Sequence, residues 1–300
     1  MTTTSRWKLL LAALAAFVFA AVALVGCGSS SSDGSGSESE AASSDAVYRT
    51  VDEITDSGTI KIGVFSDKSP FGYVDENGDY VGYDVELAKQ IGEDLGVDVE
   101  FVSTEAANRV EYLQTGKVDI ILANFTVTDE RAEQVDFADA YMNVALGVVS
   151  HKGNQVTDLA DVTDDTTVIV ISGTTAETYL TENHPELTLE KYDTYAAAKT
   201  AFENNDTAIW ANDNTEVIAF ANSANADGGD EYVVSIEQLG NTDTIAPAVS
   251  KGNESLLTWL NEELESLGSE NFFHDDYDKT LLDTYGDDYK ETLVVEPGQN

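Results

Sequence analysis

One short stretch, residues 118–137, joins a buried strand to the charged start of a helix. Residues 118–122 are rich in β-branched side chains and predict a buried strand, and Thr128 is a good N-cap for the helix that follows. Arg131 falls in the first helical turn, where the positive end of the helix dipole disfavours a cation. Anions commonly bind at such helix starts, so we expect Arg131 to face an anionic ligand. The alternative is a surface Arg–Glu pair, which is worth only about 0.3–0.5 kcal/mol.

Arginine is scarce in this chain, which makes its positions informative. Two of the arginines lie before residue 50, outside or at the border of the expected folded body. A guanidinium can bind a carboxylate or a phosphate through two parallel hydrogen bonds, which a lysine ammonium cannot do. The two arginines of the body are therefore candidates for anion recognition. The full set is Arg6, Arg49, Arg109 and Arg131.

The charge balance excludes several classes of function. The 300 residues contain 15 Lys+Arg against 56 Asp+Glu, a formal net charge of −41. No basic patch is available to neutralise the phosphates of a nucleic acid, nor to bind an anionic membrane surface. The composition fits a body exposed to an aqueous exterior, and either a saline habitat or a lineage bias would account for the acidity.

The N-terminal segment is typical of a bacterial lipoprotein. Residues 1–27 have a basic start and an apolar run over residues 9–23, which is short for a membrane-spanning helix. Leu-Val-Gly before Cys27 is similar to a lipobox, which predicts cleavage and lipidation of that cysteine. The alternatives are an ordinary cleavage site or an uncleaved anchor. Because Cys27 is the only cysteine, no intramolecular disulfide and no cysteine metal site are expected. Residues 28–46 predict a disordered Ser/Gly/acidic tether.

The body predicts an α/β fold of two lobes. Strands alternate with helices in two runs, residues 59–145 and 166–240, which predicts parallel sheets. The closing helices have no strands of their own to cover and are expected to return to the first lobe. The chain would cross between lobes near residues 144–147 and 242–245. The predicted bounds are 47–145 and 244–300 for the first lobe and 146–243 for the second.

Three local predictions are useful tests of this reasoning. Asp84 is expected to cap a helix that ends at Gly96. Residues 233–236 and 245–249 predict two separate strands, and residues 272–285 predict one aromatic-rich helix.

Together the motifs resemble those of extracellular solute-binding proteins of polar amino-acid ABC transporters, over about residues 47–286. That family has the type II periplasmic binding fold, with a ligand cleft between its lobes. Each motif is weak alone, but they occur in the family's order. They are GTIKIGV (58–64), SPF (69–71), GYDV (82–85), LQTGKVD (113–119), TVTDER (126–131), DF (136–137), SGTT (172–175) and ND (212–213).

The resemblance implies a site for the backbone of a free amino acid. Arg131 would bind the α-carboxylate and Asp213 the α-ammonium group. Asp213 has the alternative of capping the helix after it, Phe71 that of core packing, and the loop with Thr174 and Thr175 that of a plain capped turn. Further contacts are implied for Phe71, Asn124, Phe125, Thr126, Thr174 and Thr175.

Two more cations suggest which amino acid is bound. Residues 107–110 resemble the segment that, in binders of aspartate or glutamate, supplies an arginine to the distal carboxylate, which here is Arg109. Lys68 lies where the family often places a side-chain contact, although a solvated loop lysine is the alternative. These charges favour glutamate or aspartate, while glutamine, asparagine and cystine remain open.

The resemblance also implies partners and a location. The protein would be a monomer that is anchored through Cys27 to the outer face of the cytoplasmic membrane. It would close around its ligand and deliver it to an ABC transporter permease, which an ATPase drives. No cofactor is implied. The three histidines form no catalytic motif, so no enzymatic activity is expected. A dehydratase or murein lyase on the same fold, or a sensory module, are the alternatives.

Overall fold

A computed structural model describes residues 47–299 of the chain. The predicted leader, the lipobox with Cys27 and the tether lie outside the described residues and stay predictions. Between residues 47 and 299, none of the helices has the length and apolarity needed to cross a bilayer.

The strands and helices of the described part follow one another along the chain in the alternation that the sequence predicts. The strands are β1 Thr59–Val64, β2 Asp67–Lys68, β3 Gly72–Val74, β4 Tyr80–Val81, β5 Asp98–Ser103, β6 Ile120–Ile121, β7 Val135–Phe137, β8 Met142–His151, β9 Thr167–Ile171, β10 Leu189–Tyr192, β11 Ala208–Asp213, β12 Tyr232–Ile245 and β13 Ala248–Ser250. The helices are α1 Val51–Ser57, α2 Tyr83–Leu95, α3 Arg109–Gln114, α4 Asp129–Ala132, α5 Thr175–Asn183, α6 Tyr195–Glu203, α7 Asn214–Ala224, α8 Glu254–Ser269, α9 Phe272–Thr280, α10 Leu282–Tyr285 and α11 Lys290–Leu293.

Each lobe is built on a mixed sheet. The first sheet has the strand order β5-β1-β6-β13-β7, and the second has the order β10-β9-β11-β8-β12. Three neighbouring strands in each sheet are parallel, as predicted, whereas β13 in the first sheet and β8 in the second run antiparallel to their neighbours. These strands enter their sheets without a crossover helix, and parallel pairing requires such a crossover. A small sheet of β2, β3 and β4 borders the first lobe.

The two crossings between the lobes are paired strands. The predicted crossing at residues 144–147 lies inside β8, and the one at 242–245 lies at the end of β12. The two strands pair antiparallel from Tyr232 opposite His151 to Ile245 opposite Met142, with three register shifts between. The prediction of two separate strands in this region was therefore wrong in part. The residues between 237 and 243 are mostly exposed and polar, so the sequence pattern did not predict that β12 continues through them.

The cores follow the two sheets. In the first lobe, the closing helices α8 and α9 pack on the sheet through Leu260, Leu264 and Phe273. In the second lobe, one face of the sheet packs on α5 and the other on α6 and α7. The second cluster continues to Phe65 and Phe125 of the first lobe, so apolar contact crosses between the lobes.

Two helix predictions need correction. Helix α2 begins at Tyr83 with Gly82 as N-cap, and Asp84 lies in its first turn with its side chain turned to other partners. The aromatic-rich segment 272–285 forms α9 and α10, which are separated at Leu281.

Candidate functional site

Arg109 lies at the start of α3 and is only 3% exposed. Its guanidinium donates to the carbonyl oxygens of Ala106 at 3.0 Å, Ala123 at 3.1 Å, Asn124 at 3.1 Å and Gly173 at 3.0 Å. Burial lowers the pKa of Arg109 from its ordinary value. Because Gly173 belongs to the second lobe, Arg109 links the two lobes through main-chain oxygens.

Arg131 lies beside Arg109 and is half-buried. It donates to the carbonyl oxygen of Thr126 at 2.7 Å and to that of Gly173 at 3.0 Å, so both arginines share one acceptor. The guanidinium carbons of Arg131 and Arg109 lie 4.8 and 4.5 Å from the centre of the Phe125 ring. Burial, and then repulsion by Arg109, lower the pKa of Arg131 to about 9. Two like charges held this close favour an anion between the lobes.

Lys68 forms a buried ion pair across the lobes. Its ammonium donates to Asp213 at 2.8 Å and to the side-chain oxygen of Asn124 at 2.6 Å. The rings of Tyr195 and Phe71 lie 4.8 and 5.4 Å from the nitrogen. Burial alone would lower the pKa of Lys68, but the Asp213 carboxylate together with Tyr195 and Glu216 outweighs burial and raises it. Lys68 is 1% exposed, so the alternative of a solvated loop lysine was wrong.

The two lobe-2 loops that were predicted to meet the ligand differ in how they use their side chains. Asp213 is the N-cap of α7 by position, but its side chain makes no capping hydrogen bond and pairs with Lys68 instead. Thr174 does cap α5, because its hydroxyl accepts from the Glu177 amide at 3.3 Å. The carboxylate of Asp213 is therefore directed at the other lobe, whereas the Thr174 hydroxyl serves its own helix.

Asn124 connects several residues of the site through hydrogen bonds. Its backbone has φ 45°, a left-handed conformation that costs a non-glycine residue free energy. Its amide donates to Asp84 at 2.8 Å, and Asp84 also accepts from the Tyr141 hydroxyl at 2.7 Å. Burial raises the pKa of Asp84 to about 7, although these two hydrogen bonds and the charge of Lys68 act in the opposite direction.

Several buried polar atoms at this site have no hydrogen-bond partner within the described chain. They are the side-chain amide nitrogens of Asn124 and Asn212 and the hydroxyl of Thr215. Buried polar groups are normally paired, so such a cluster indicates room for a polar ligand. A cavity of about 300 Å³ adjoins the site and is lined by Arg131 and Thr175 among others.

The structure brings the ten predicted body residues into one connected group. Phe71 and Thr126 are buried beside Lys68 and Arg131, and Thr174 and Thr175 directly follow the shared acceptor Gly173. The group is Lys68, Phe71, Arg109, Asn124, Phe125, Thr126, Arg131, Thr174, Thr175 and Asp213.

Sequence reasoning missed five residues that contact or border this group. Gly173 could have been found, because it belongs to the SGTT motif, and its φ of +77° requires glycine-like freedom. The other four carried no signal of a site, because three of them fit ordinary helix patterns and Tyr141 lies in the connection just before β8. The five residues are Asp84, Tyr141, Gly173, Tyr195 and Glu216.

The arrangement is suited to binding a polar ligand by charge. Lys68, Arg109 and Arg131 supply three cations, and Asp213 is the carboxylate that opposes them most closely. No group of three or more His, Cys, Asp or Glu side chains between residues 47 and 299 has the geometry of a metal site.

Comparison with known proteins decides the family. The model of the bacterial extracellular solute-binding proteins, family 3, matches residues 60–280. The chain belongs to this family. Its two-lobed α/β fold is the type II periplasmic binding fold, as the sequence motifs predicted.

Several relatives match this solute-binding protein over most of its length. The ABC transporter glutamine-binding protein GlnH of Bacillus subtilis is 28% identical over 247 residues, which are 80% of this chain and 87% of that protein. Two solved structures are more similar. The solute receptor for L-cysteine of Neisseria gonorrhoeae is 48% identical, with a TM-score of 0.78 over 83% of this chain and 100% of that one. The cysteine-binding protein of Campylobacter jejuni is 45% identical, with a TM-score of 0.78 over 82% of this chain and 98% of that one.

Proposed function

We propose that this solute-binding protein captures a free α-amino acid between its lobes and delivers it to an ABC transporter permease. The observation that carries the proposal is that Arg109 and Arg131 of the first lobe donate to one oxygen, that of Gly173, in the second. A ligand that contacts both sides of this junction stabilises the closed form by its differential affinity for that form.

Each end of the amino acid has a matching charge. Arg131 binds the α-carboxylate, helped by main-chain groups from Asn124 to Thr126 and by the amides near Thr174. Asp213 binds the α-ammonium group, and Phe71 with Phe125 encloses the ligand. Oppositely charged groups in a site shielded from water give strong, directional hydrogen bonds.

The contacts of Arg109 and Lys68 bear on which side chain the bound amino acid carries. Arg109 donates to four main-chain oxygens, and Lys68 already pairs with Asp213 and Asn124. Neither cation is therefore poised to bind a distal carboxylate. A short, uncharged side chain fits this arrangement best, and two similar solved structures are named for cysteine. We propose L-cysteine as the ligand. Glutamate or aspartate is the second candidate, favoured by the excess of positive charge.

Calorimetry under reducing conditions tests the choice. We expect L-cysteine to release heat and to bind more tightly than L-glutamate or L-aspartate, with D-cysteine as the control for stereochemistry. Tighter binding of glutamate would restore the acidic assignment. A flat titration with every proteinogenic amino acid would remove the proposed function, and product formation from any of them would favour an enzyme.

The location follows from the N-terminal segment. We propose that Cys27 is lipidated and holds a monomeric protein at the outer face of the cytoplasmic membrane, where tethering raises its concentration near the permease. Mass spectrometry of the membrane-bound protein would find the lipid on Cys27, and Cys27→Ser would release the protein. Unmodified Cys27 in the mature chain would refute this part.

A further inference from the structure

A second cavity, which we call the α7 cavity, lies between the lobes away from the arginines. Its volume is about 290 Å³. Asp67 and Ser69 line it from the segment that contains β2, and Asp283 lines it from α10. Lys199 on α6 and Glu216 on α7 line it from the second lobe. An occupant would therefore touch both lobes.

The charge of the α7 cavity is negative. Asp67, Glu216 and Asp283 contribute three carboxyl groups, against one ammonium from Lys199. The Lys199 ammonium is about half exposed and lies 3.9 Å from Glu203, a residue that does not line the cavity. The lining of the α7 cavity therefore has a net negative charge when its carboxyl groups are ionised.

Glu216 provides an independent sign of a ligand. It is 7% exposed, and its Oε2 has no hydrogen-bond partner in the described part of the chain. A buried carboxylate without a partner is costly, so such atoms usually face a missing group. Burial raises the pKa of Glu216 to about 7, and Asp213 and Asp67 raise it further while Lys68 lowers it. A positive charge in the cavity would offset the repulsion of Glu216 by Asp213 and Asp67.

We propose that the α7 cavity binds a hydrated monovalent cation such as sodium, held by Glu216 from one lobe and by Asp67 and Asp283 from the other. The carboxyls between residues 47 and 299 form no cluster tight enough to chelate a metal directly. The cavity has room for an ion with several of its waters, since one water occupies about 30 Å³ in the liquid. Water-mediated contacts to dispersed carboxylates can hold a cation that keeps part of its hydration shell.

The cation acts on the amino-acid site through closure. Because its ligands come from both lobes, the ion binds the closed form in preference to the open one, and amino-acid affinity rises by linkage. This step rests on the proposed function, whereas binding of the ion itself does not.

The test compares sodium chloride with N-methyl-D-glucamine chloride at equal ionic strength and about pH 8.5, where Glu216 is largely ionised. The full chain is melted in each salt without amino acid, and the dissociation constant of the amino acid is then measured. We expect a higher melting temperature in sodium and about fivefold tighter amino-acid binding. Glu216→Gln and Asp283→Asn should each remove most of both differences. Glu93→Gln, an exposed change on α2, should keep them.

Three results would overturn the inference. One is an equal melting temperature of the unaltered chain in the two salts. Another is an undiminished sodium effect in Glu216→Gln and Asp283→Asn. The third is a response to pH near 7 with none to sodium, which would make the proton the occupant. Should Glu216→Gln not fold, Asp283→Asn decides, since Asp283 is exposed. If no amino acid binds, the proposed function fails while the melting comparison still decides the cation site.

Discussion

Arg131→Gln is the most direct test of the amino-acid site. The change removes a permanent charge and a pair of parallel donors while keeping a polar side chain of similar reach. Arg131 is half-buried, and among residues 47–299 its guanidinium donates only to the main-chain oxygens of Thr126 and Gly173. Loss of these contacts should leave each lobe folded, so the effect should fall on ligand binding.

The size of the loss follows from the two donors of the guanidinium. A hydrogen bond to a charged group is worth about 1.5–3 kcal/mol, so a carboxylate held by two of them loses roughly 3–6 kcal/mol. This corresponds to a dissociation constant about 10²- to 10⁴-fold higher, for every amino acid that binds. Arg131→Lys keeps the charge without the paired geometry and should lose about one to two orders of magnitude less.

Isothermal calorimetry measures these constants, and circular dichroism melting confirms that the variants fold. Lys89→Gln removes an exposed charge on α2 and serves as the matched control for net charge. Binding by Arg131→Gln within about threefold of the unaltered chain would refute the role of Arg131 in holding the α-carboxylate. Equal losses in Arg131→Lys and Arg131→Gln would show that the charge alone contributes nothing, whereas unaltered binding by Arg131→Lys would show that the paired geometry does not matter.

Three further changes probe the fold around the site. Gly173→Ala would place a Cβ 2.5 Å from the backbone at Ala107 and force a residue with a side chain to φ +77°, so it should hinder closure. The radius of gyration of the Gly173→Ala variant, measured by small-angle scattering, should stay at the ligand-free value when ligand is added. A decrease equal to that of the unaltered chain would contradict the expected block of closure. Lys68→Met leaves Asp213 buried and unpaired, at a cost of about 3–5 kcal/mol, and adding Asp213→Asn should recover much of that stability in denaturant melts. If the double variant is no more stable than Lys68→Met, the pair is not coupled. Burial raises the pKa of Asp276 to about 8 from an ordinary 3.8, so the folded chain binds more protons than the unfolded one between those values. Its contribution therefore destabilises the fold as pH rises through this window, by up to about 6 kcal/mol, and Asp276→Asn should flatten that part of the stability profile. An unchanged profile would show that Asp276 titrates normally.

Much of the site was predictable because it depends on local signals. Arg131 stood out through its position in a first helical turn, and Thr128 caps that helix as expected. Such signals come from neighbouring residues in the sequence, so they can be recognised without knowing how distant segments fold. The resemblance added Asp213 and Thr174, whose motifs are short but lie in a fixed order.

The remaining features depend on contacts between distant segments. Asp84 had the sequence context of a helix cap, and only the fold shows that Asn124 and Tyr141 claim its carboxylate. Likewise, nothing in the order of residues revealed that Arg109 would meet four carbonyl oxygens. Periodicity and capping rules read neighbours along the chain, so partners 14 to 64 residues away are invisible to them.

The bonding of Asn124 has an evolutionary consequence. Its amide, carbonyl and side-chain oxygen are each committed, to Asp84, Arg109 and Lys68. A substitution there would remove the side-chain acceptor of Lys68. Because a φ of 45° disfavours most other residues, it would also shift the main-chain groups that contact Asp84 and Arg109, so adaptive walks toward a new nutrient should leave this position untouched. A change of specificity would instead begin at residues that border the site, such as Tyr195, where one substitution alters the shape of the binding cavity without breaking these hydrogen bonds.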